Sequence, residues 1–424
     1  MKKFICYLTI ITIFLDGFTF KNILPFDFRI SYLIYIAVFF ISLFFSKDVY
    51  INRVFIFLLM LIALTSLYNV YVNNNTIILL LEQLIGIALS ALVYYQLFKI
   101  IDYDIKKAFN IYLKVVLVIC FVGIFQEACF ILKFKPGYDF SWFIPGFRLN
   151  ISNNLIRISS ITPEPASLGT TIMPAFFASL LNIIYPKYRL LKNWQAGVII
   201  FTAFITISSV AYIGILISII LLVYNKFGTK SIAVSCVIVL ILFGLMYNYS
   251  KDFKMRIDDT YNVVTGKANI NESNISTFAL LSNAQVAYKS FQNQPLIGSG
   301  LGSHQISYDK YIDTIADKVA IGFGANRTDA NSLFLRLMSE TGLVGILTIL
   351  LFMICNYVKR NKNENDIYWI ISNGVLTLVI LRLLRSGHYF SDGFFFFIWL
   401  YYFSKQQYKL EKKLSDTRLY EAEN

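Results

Sequence analysis

The chain has 424 residues, of which 57% are hydrophobic and only 15% charged, with a mean hydropathy of +0.61. A soluble globule needs far more surface charge, so a water-soluble domain is excluded and a polytopic membrane protein is expected. The net charge of +13 does not argue for nucleic acid, because in such proteins lysine and arginine collect in the short cytoplasmic loops that set orientation.

One crossing of roughly 30 Å of hydrocarbon takes about 20 apolar residues. Met1-Lys2-Lys3 and the apolar run behind it imitate a signal peptide, but Asp16-Gly17-Phe18 is a poor cleavage site, so Phe4 to Phe20 is expected to be an uncleaved first span. Further spans are expected at Ile30 to Phe45, Val54 to Val72, Thr76 to Phe98, Ala108 to Leu132 and Ala166 to Tyr185. The apolar block Trp194 to Tyr224 would rise roughly 45 Å as one helix, too far for a single crossing. Thr206-Ile207-Ser208-Ser209 interrupts it, which predicts two spans and a tight polar turn. Ser231 to Tyr249, Ser332 to Val358, Ile367 to Leu384 and Tyr389 to Phe403 follow, about twelve spans in all.

With the block split, the basic loops share one side: Lys2 and Lys3; Lys47 and Arg53; Lys99, Lys106 and Lys107; Lys187, Arg189 and Lys192; Lys226 and Lys230; Lys359, Arg360 and Lys362; and a tail with Lys405, Lys409, Lys412 and Lys413. That side is expected to be cytoplasmic. The chain reads as one integral membrane domain, 1–424, with an outer loop at 133–162, a large outer loop at 250–330 and a cytoplasmic tail at 404–424. Within the large loop, Leu280, Leu281, Ala284, Ala287, Tyr288 and Phe291 recur at helical spacing and predict an amphipathic helix over the membrane face. Tyr138, Phe140, Trp142, Phe143 and Phe147 suit an interfacial aromatic belt, or a platform for sugars.

The five cysteines fall in apolar runs and read as small hydrophobes. With His304 and His388 the only histidines, no metal site is expected. No Walker loop or serine elbow occurs. What remains is a set of ionisable groups at span ends: Arg148, Arg157, Glu164, Arg256, Arg327, Asp329, Arg336, Glu340, Arg382, Arg385 and Asp392. Such groups are costly near hydrocarbon unless paired or solvated, so each is a functional candidate. Plainer readings stand beside them. Arg336 and Glu340 are four apart and can form a local ion pair; Arg382 and Arg385 can snorkel to head groups; His388 and Asp392 can pair at a helix start. Gly298, Gly300 and Gly302 alternate, which by itself says only that the backbone turns tightly.

Three segments together resemble the O-antigen polymerase and O-antigen ligase family of bacterial envelope glycosyltransferases. They are Pro295-Leu296-Ile297-Gly298-Ser299-Gly300-Leu301-Gly302, the run Asn331 to Gly345 with its Glu340-Thr341-Gly342, and Arg157 to Gly169 with its Glu164-Pro165. The family carries a histidine before the asparagine, where this chain has Ala330; Asp329 or His304 is the substitute to expect. The resemblance implies an all-α, GT-C-like bundle in the bacterial inner membrane. It implies an oligosaccharide donor on undecaprenyl pyrophosphate, a chain-length regulator protein as partner, and no cofactor. Arg157 and Arg327 are then expected on the pyrophosphate, with Arg148, Arg382 and Arg385 in reserve. Glu164 or Asp329 would be the base, and His304, Asn331, Glu340 and His388 would bind substrate. Polymerase is the preferred activity, from Ala330 and from Arg385-Ser386-Gly387-His388-Tyr389-Phe390 ahead of an aromatic span; ligase and lipid-linked oligosaccharide flippase are the alternatives.

Overall fold

The computed structural model describes residues 2–20, 28–45, 52–152, 155–185, 187, 189–228, 232–249, 251–360 and 367–423. Lys47, Lys230 and Lys362, and the side chain of Cys236, one of the five cysteines, lie outside the described residues. The first half of the chain forms α1 (Lys2–Ile11), α2 (Ile30–Phe45), α3 (Arg53–Tyr71), α4 (Ile77–Ile100), α5 (Ile105–Ile131), α6 (Lys135–Tyr138), α7 (Pro165–Thr171), α8 (Met173–Ile184), α9 (Asn193–Ile205) and α10 (Ser209–Phe227). It continues with α11 (Ile232–Tyr249), α12 (Lys251–Val264), α13 (Ile275–Asn293), α14 (His304–Tyr311), α15 (Leu333–Glu340), α16 (Gly342–Asn356), α17 (Tyr368–Arg385) and α18 (Phe394–Glu423). Two minimal antiparallel hairpins complete it, β1 (Thr19–Phe20) with β2 (Phe28–Arg29) and β3 (Ile151–Ser152) with β4 (Leu155–Ile156). The protein is all-α.

Helix starts follow local chemistry. Asn52, Thr76 and Asp104 cap α3, α4 and α5 by accepting the backbone N–H two or three residues on, which satisfies donors that a helix start leaves bare. Pro174, in the first turn of α8, has no N–H to extend α7, and the two helices bend by 53°. The long apolar block is indeed two helices: α9 ends at Ile205 and α10 begins at Ser209, with Ile207 in the left-handed region at φ +46°.

Among the described residues five helices are long and apolar enough to cross a membrane, six if the bent α7–α8 pair is one span. Among the described residues, then, not all of the twelve expected spans appear as full-length apolar helices. Several depart from the expected bounds. The span expected at Phe4 to Phe20 stops as α1 and a 3-10 turn ending at Phe14, because Asp16 turns in to meet Arg29 at 3.3 Å. The run from Ser332 is broken at Thr341 into α15 and α16, and α9 has only 13 residues. The last span begins at Phe394 instead of Tyr389, and the expected tail is the continuation of α18 in one 30-residue helix.

The basic loops lie at one end of the bundle. Lys2 meets Asp102 at 3.9 Å, Lys106 meets Glu411 at 3.2 Å, and Lys405 donates to the Tyr357 carbonyl at 2.9 Å. Asn225 at the end of α10 joins Tyr357, Asn373 and the Arg360 backbone there.

At the other end α12 to α14 build a small lobe around Phe278, Val286, Tyr308 and Ile312. The helix expected from the 280–291 pattern exists as α13; of that pattern Ala287 is buried, Leu280, Leu281, Ala284 and Phe291 are half-buried and Tyr288 is exposed, and the buried face also carries Phe278, Ser282, Asn283, Val286 and Ser290. Small hydroxyl and amide side chains outcompete larger apolar ones at this face because their partners lie across it: Ser290 with Ser299 and Ser307, and Asn283 with His304. The aromatic segment also divides. Phe140 and Phe147 bury with Ile144 against Phe18, and only Trp142, 72% exposed, and Phe143 remain for an interface.

Candidate functional site

The glycine turn is packed on every side. Gly298, Gly300 and Gly302 have φ of +62°, +96° and +82°, a region in which a side chain is strained, and a Cβ on them would collide with Glu340, Asn75 and Leu79 respectively. The turn is held against α3 and α4, with Leu301 N–H donating to Ser66 Oγ (3.0 Å) and Asn75 Nδ2 to the Leu301 carbonyl (2.7 Å). Successive N–H groups in such a turn form an anion nest. Here the anion is internal: Glu340 accepts from the N–H of Gly302 (2.9 Å) and of His304 (3.3 Å), from Arg336 Nε (2.9 Å) and from the Tyr389 hydroxyl (2.9 Å).

From Tyr389 the network passes to the loop 386–393. Arg336 donates to the Gly387 carbonyl at 3.1 Å and lies over the Tyr389 ring. Gly387 packs so closely on the Asp329 carbonyl that a Cβ would overlap it. Buried Arg382 binds the loop from below, donating to Asp392 (3.2 Å), the His388 carbonyl (2.6 Å) and Ser391 (3.3 Å). Asp392 accepts from Ser167 of α7 at 2.5 Å, and its N–H donates to Asp16. Beside it, Gly146 N–H donates to Gly17 O (2.8 Å), Arg148 N–H to Pro163 O (3.0 Å), and Arg157 Nε to Ile207 O (3.0 Å) in the α9–α10 break. Arg256 Nη1 donates to Ser209 in the same break.

At the end of the bundle opposite the basic loops, six arginines (Arg29, Arg148, Arg157, Arg256, Arg382 and Arg385) thus share an electrostatic neighbourhood with four carboxylates (Asp16, Glu164, Asp329 and Asp392). The excess is positive. Glu164 is an exposed residue at the start of α7 that makes no side-chain cap bond to the helix. Enclosure by the surrounding protein raises its pKa above the usual 4.5, against the pull of Arg148. His388 stands 3.5 Å from Asp329 with 41% of its side chain exposed. Desolvation, reinforced by Arg29, Arg336 and Arg382, lowers its pKa to about 4 despite Asp329.

Residues 194–350 match the family described as O-antigen ligase. No curated protein matches the chain. The O-antigen ligase match runs from α9 into α16 and includes the α9–α10 break, Arg256, the lobe, the glycine turn and Asp329 to Glu340. The resemblance read over about 150 to 403 is matched in this central part; Arg157 and Glu164 before it, and Arg382 to Asp392 after it, join through the contacts just described. Members of that family are membrane glycosyltransferase-like enzymes.

Within this O-antigen ligase-like chain, the residues singled out from sequence fall into three groups. Arg148, Arg157, Glu164, Asp329, Arg385 and His388 come together in one charged cluster. Arg382, Glu340 and His304 are buried in the frame that supports it. Both nitrogens of His304 are engaged, Nε2 with Asn283 Oδ1 and Nδ1 with Ser339 Oγ, each at 2.9 Å, and burial lowers its pKa to about 3. Arg327 stands apart, forked onto Asp309 at the surface of the lobe. Ala330, where the family has histidine, is fully buried in a left-handed turn with Asn331, whose N–H returns to Asp329 at 3.3 Å.

Sequence reasoning does not single out Asp16 and Arg29 as a pair, yet they meet at 3.3 Å beside the β1–β2 hairpin. Among the described residues no group of three or more His, Cys, Asp and Glu side chains could hold a metal ion.

Proposed function

We propose that the protein transfers an oligosaccharide from undecaprenyl pyrophosphate to a sugar hydroxyl at the outer face of the bacterial inner membrane, polymerising repeat units of an O-antigen or capsule. The observation that carries this reading is the gathering of Arg148, Arg157, Arg256 and Arg385 around the carboxylate of Glu164, at the end opposite the basic loops. By the positive-inside rule that end faces outward. A pyrophosphate diester is dianionic and already a good leaving group, so catalysis asks for charge stabilisation and alignment.

In this scheme the acceptor oxygen attacks the anomeric carbon, the bond from that carbon to the phosphate oxygen breaks, and the electron pair leaves on the lipid pyrophosphate held by the arginines. The hydroxyl proton passes to Glu164, whose raised pKa suits it to receive one. The Asp329–His388 pair holds the acceptor sugar. A chain-length regulator would meet such a polymerase at the same outer face.

The ligase reading, in which the glycan goes to a final acceptor, is favoured by the description of the matching family. The surface glycan of a deletion strain separates the activities. Caps of a single repeat unit support polymerase, carrier-bound long chains that never reach their acceptor support ligase, and repeat units trapped on the inner leaflet sink both in favour of a flippase.

A further inference from the structure

Both halves of the charged cluster rest on one short segment, residues 16–18, just ahead of β1. Asp16 and Arg29 form a nearly buried pair, their side chains 10% and 12% exposed. Such a pair contributes little net stability, since desolvating both charges offsets their attraction, so what else the carboxylate holds is informative. Asp16 Oδ2 also accepts the backbone N–H of Asp392. Asp392 and Gly393 are both in the left-handed region, at φ +51° and +60°, a turn that the surrounding structure must hold in place. A Cβ on Gly393 would collide with Ile13 and the Tyr94 hydroxyl, and Arg29 lies over the Phe390 ring, 5.6 Å from its centroid. The loop 386–393, with His388, is therefore seated on Asp16 and Arg29. On its other side the segment holds the residues that carry Arg148 and Glu164. Gly17 O accepts the Gly146 N–H at 2.8 Å, the Phe18 and Phe143 rings meet at 6.3 Å, and a Cβ on Gly17 would press on the Ile161 carbonyl.

We propose that Asp16, braced by Arg29, is a positioning residue for the acceptor site: by holding the Asp392 N–H it fixes the loop that carries His388 relative to the segment that carries Glu164. This rests on the transferase reading, in which His388 holds the acceptor and Glu164 takes its proton, and deepens it by naming what keeps the two in register. Arg382 cannot do this by itself, because it belongs to α17, directly ahead of the loop, and its bonds to Asp392, the His388 carbonyl and Ser391 are local. Ser167 of α7 supplies a second tie, to the Asp392 side chain; Asp16 holds the backbone.

The test uses the full chain in nanodiscs and has a kinetic and a chemical readout. Turnover is measured with a glycan on a polyprenyl diphosphate as donor and a repeat-unit glycan as acceptor, each varied separately. Diethyl pyrocarbonate acylates neutral imidazole; since His304 is buried with both nitrogens engaged, the peptide carrying His388, the other histidine, reports on the loop by mass spectrometry. In Asp16→Ala the Asp392 N–H loses its acceptor: KM for the acceptor rises about 10-fold, KM for the donor is unchanged, and His388 is acylated several-fold faster. Asp16→Asn keeps the oxygen and loses the charge, so both readouts move the same way by less. Being nearly the same shape, it carries the comparison at matched folded fraction where Asp16→Ala folds poorly. Donor and acceptor KM rising together in Asp16→Asn overturns the proposal and leaves a merely stabilising pair. If sugar is transferred and neither acceptor KM nor His388 acylation responds in either variant, the positioning role fails while the transferase reading survives. If wild type transfers no sugar and acylation of His388 still accelerates in the Asp16 variants, the transferase reading fails and the tie between Asp16 and the loop stands.

Discussion

The carboxylate of Asp329 faces the imidazole of His388 across 3.5 Å, joining the turn that precedes α15 to the loop that follows α17. Asp329 is itself fixed, accepting from Asn326 Nδ2 at 2.8 Å and from the Asn331 N–H. A carboxylate so held orients the ring, which remains open to a ligand on its far side. Where the related family has a histidine in sequence, this chain brings one in from 58 positions beyond Ala330.

The first prediction follows from that pair. His388→Ala removes the group that holds the acceptor and is expected to raise KM for the acceptor about 10-fold, while binding of the lipid-linked donor is unchanged. Asp329→Asn keeps the shape and loosens the ring, so its effect is smaller and in the same direction. Steady-state kinetics with acceptor and donor varied separately decide it; a change confined to donor binding would put His388 on the wrong substrate.

Arg157 gives a second test. One of its nitrogens is spent on Ile207, and the guanidinium plane is thereby set for bidentate contact with phosphate, which an ammonium cannot copy. Arg157→Lys is expected to lose much of the rate, and Arg157→Ala on the order of 10²-fold or more. Glycan chain length at matched membrane abundance is the readout. Near-normal chains in Arg157→Ala would falsify the assignment.

A third concerns Glu164 and acidity. Its carboxyl titrates above the usual 4.5 because burial disfavours the charge, with Arg148 opposing. The acid limb of the turnover profile therefore lies above 4.5, and Glu164→Gln abolishes turnover. Removing the opposing charge in Arg148→Gln makes proton loss harder, so the limb moves to higher pH. A limb that moves down, or stays, breaks the link between Glu164 and the proton transfer.

The fourth is about stability. Burial lowers His304 from 6.5 to about 3, so the folded state binds this proton less readily than the unfolded chain. Stability from this group is complete above pH 6.5 and is lost as pH falls toward 3, on the order of 5 kcal/mol in all. His304→Gln, less stable at pH 7, is expected to show a shallower fall in apparent Tm between pH 7 and pH 4 than wild type. Parallel curves would mean that another group governs the acid response.

The last prediction is topological. Reporter fusions after Lys226 and after Lys359 are expected to report cytoplasm, and one within α13 the outside, since the split at Ile207 keeps the basic loops together. An outside signal after Lys226 contradicts this orientation.

Much of the bundle was legible because hydrophobic length and period are local: Ile30–Phe45 and the split of the 194–224 block needed only a window of sequence. The losses are where polar atoms settle matters at a distance. Asp16 ends α1 by pairing with Arg29, which nothing in the first 20 residues announces. The face of α13 that packs carries Ser282, Asn283 and Ser290 beside Phe278, Val286 and Ala287, and those three polar residues are ones that a hydrophobic pattern scores as outward. Candidate site residues were found as types, arginines and carboxylates at helix ends, but their grouping was not. Arg327 looks no different in sequence from Arg157, yet one is tied to Asp309 on the lobe and the other to the α9–α10 break.

The carboxylate inside the glycine turn limits how the protein can move. Lifting the glycine turn would leave Glu340 paired with Arg336 on its own helix but without the N–H groups of Gly302 and His304, buried acceptor capacity worth about 1–3 kcal/mol, so the turn ties the lobe to α15. The lobe is a fixed roof, not a hatch. Anything that reaches the arginines and carboxylates beside it would then have to come along the membrane surface, from the side, and not from above through an opening lobe.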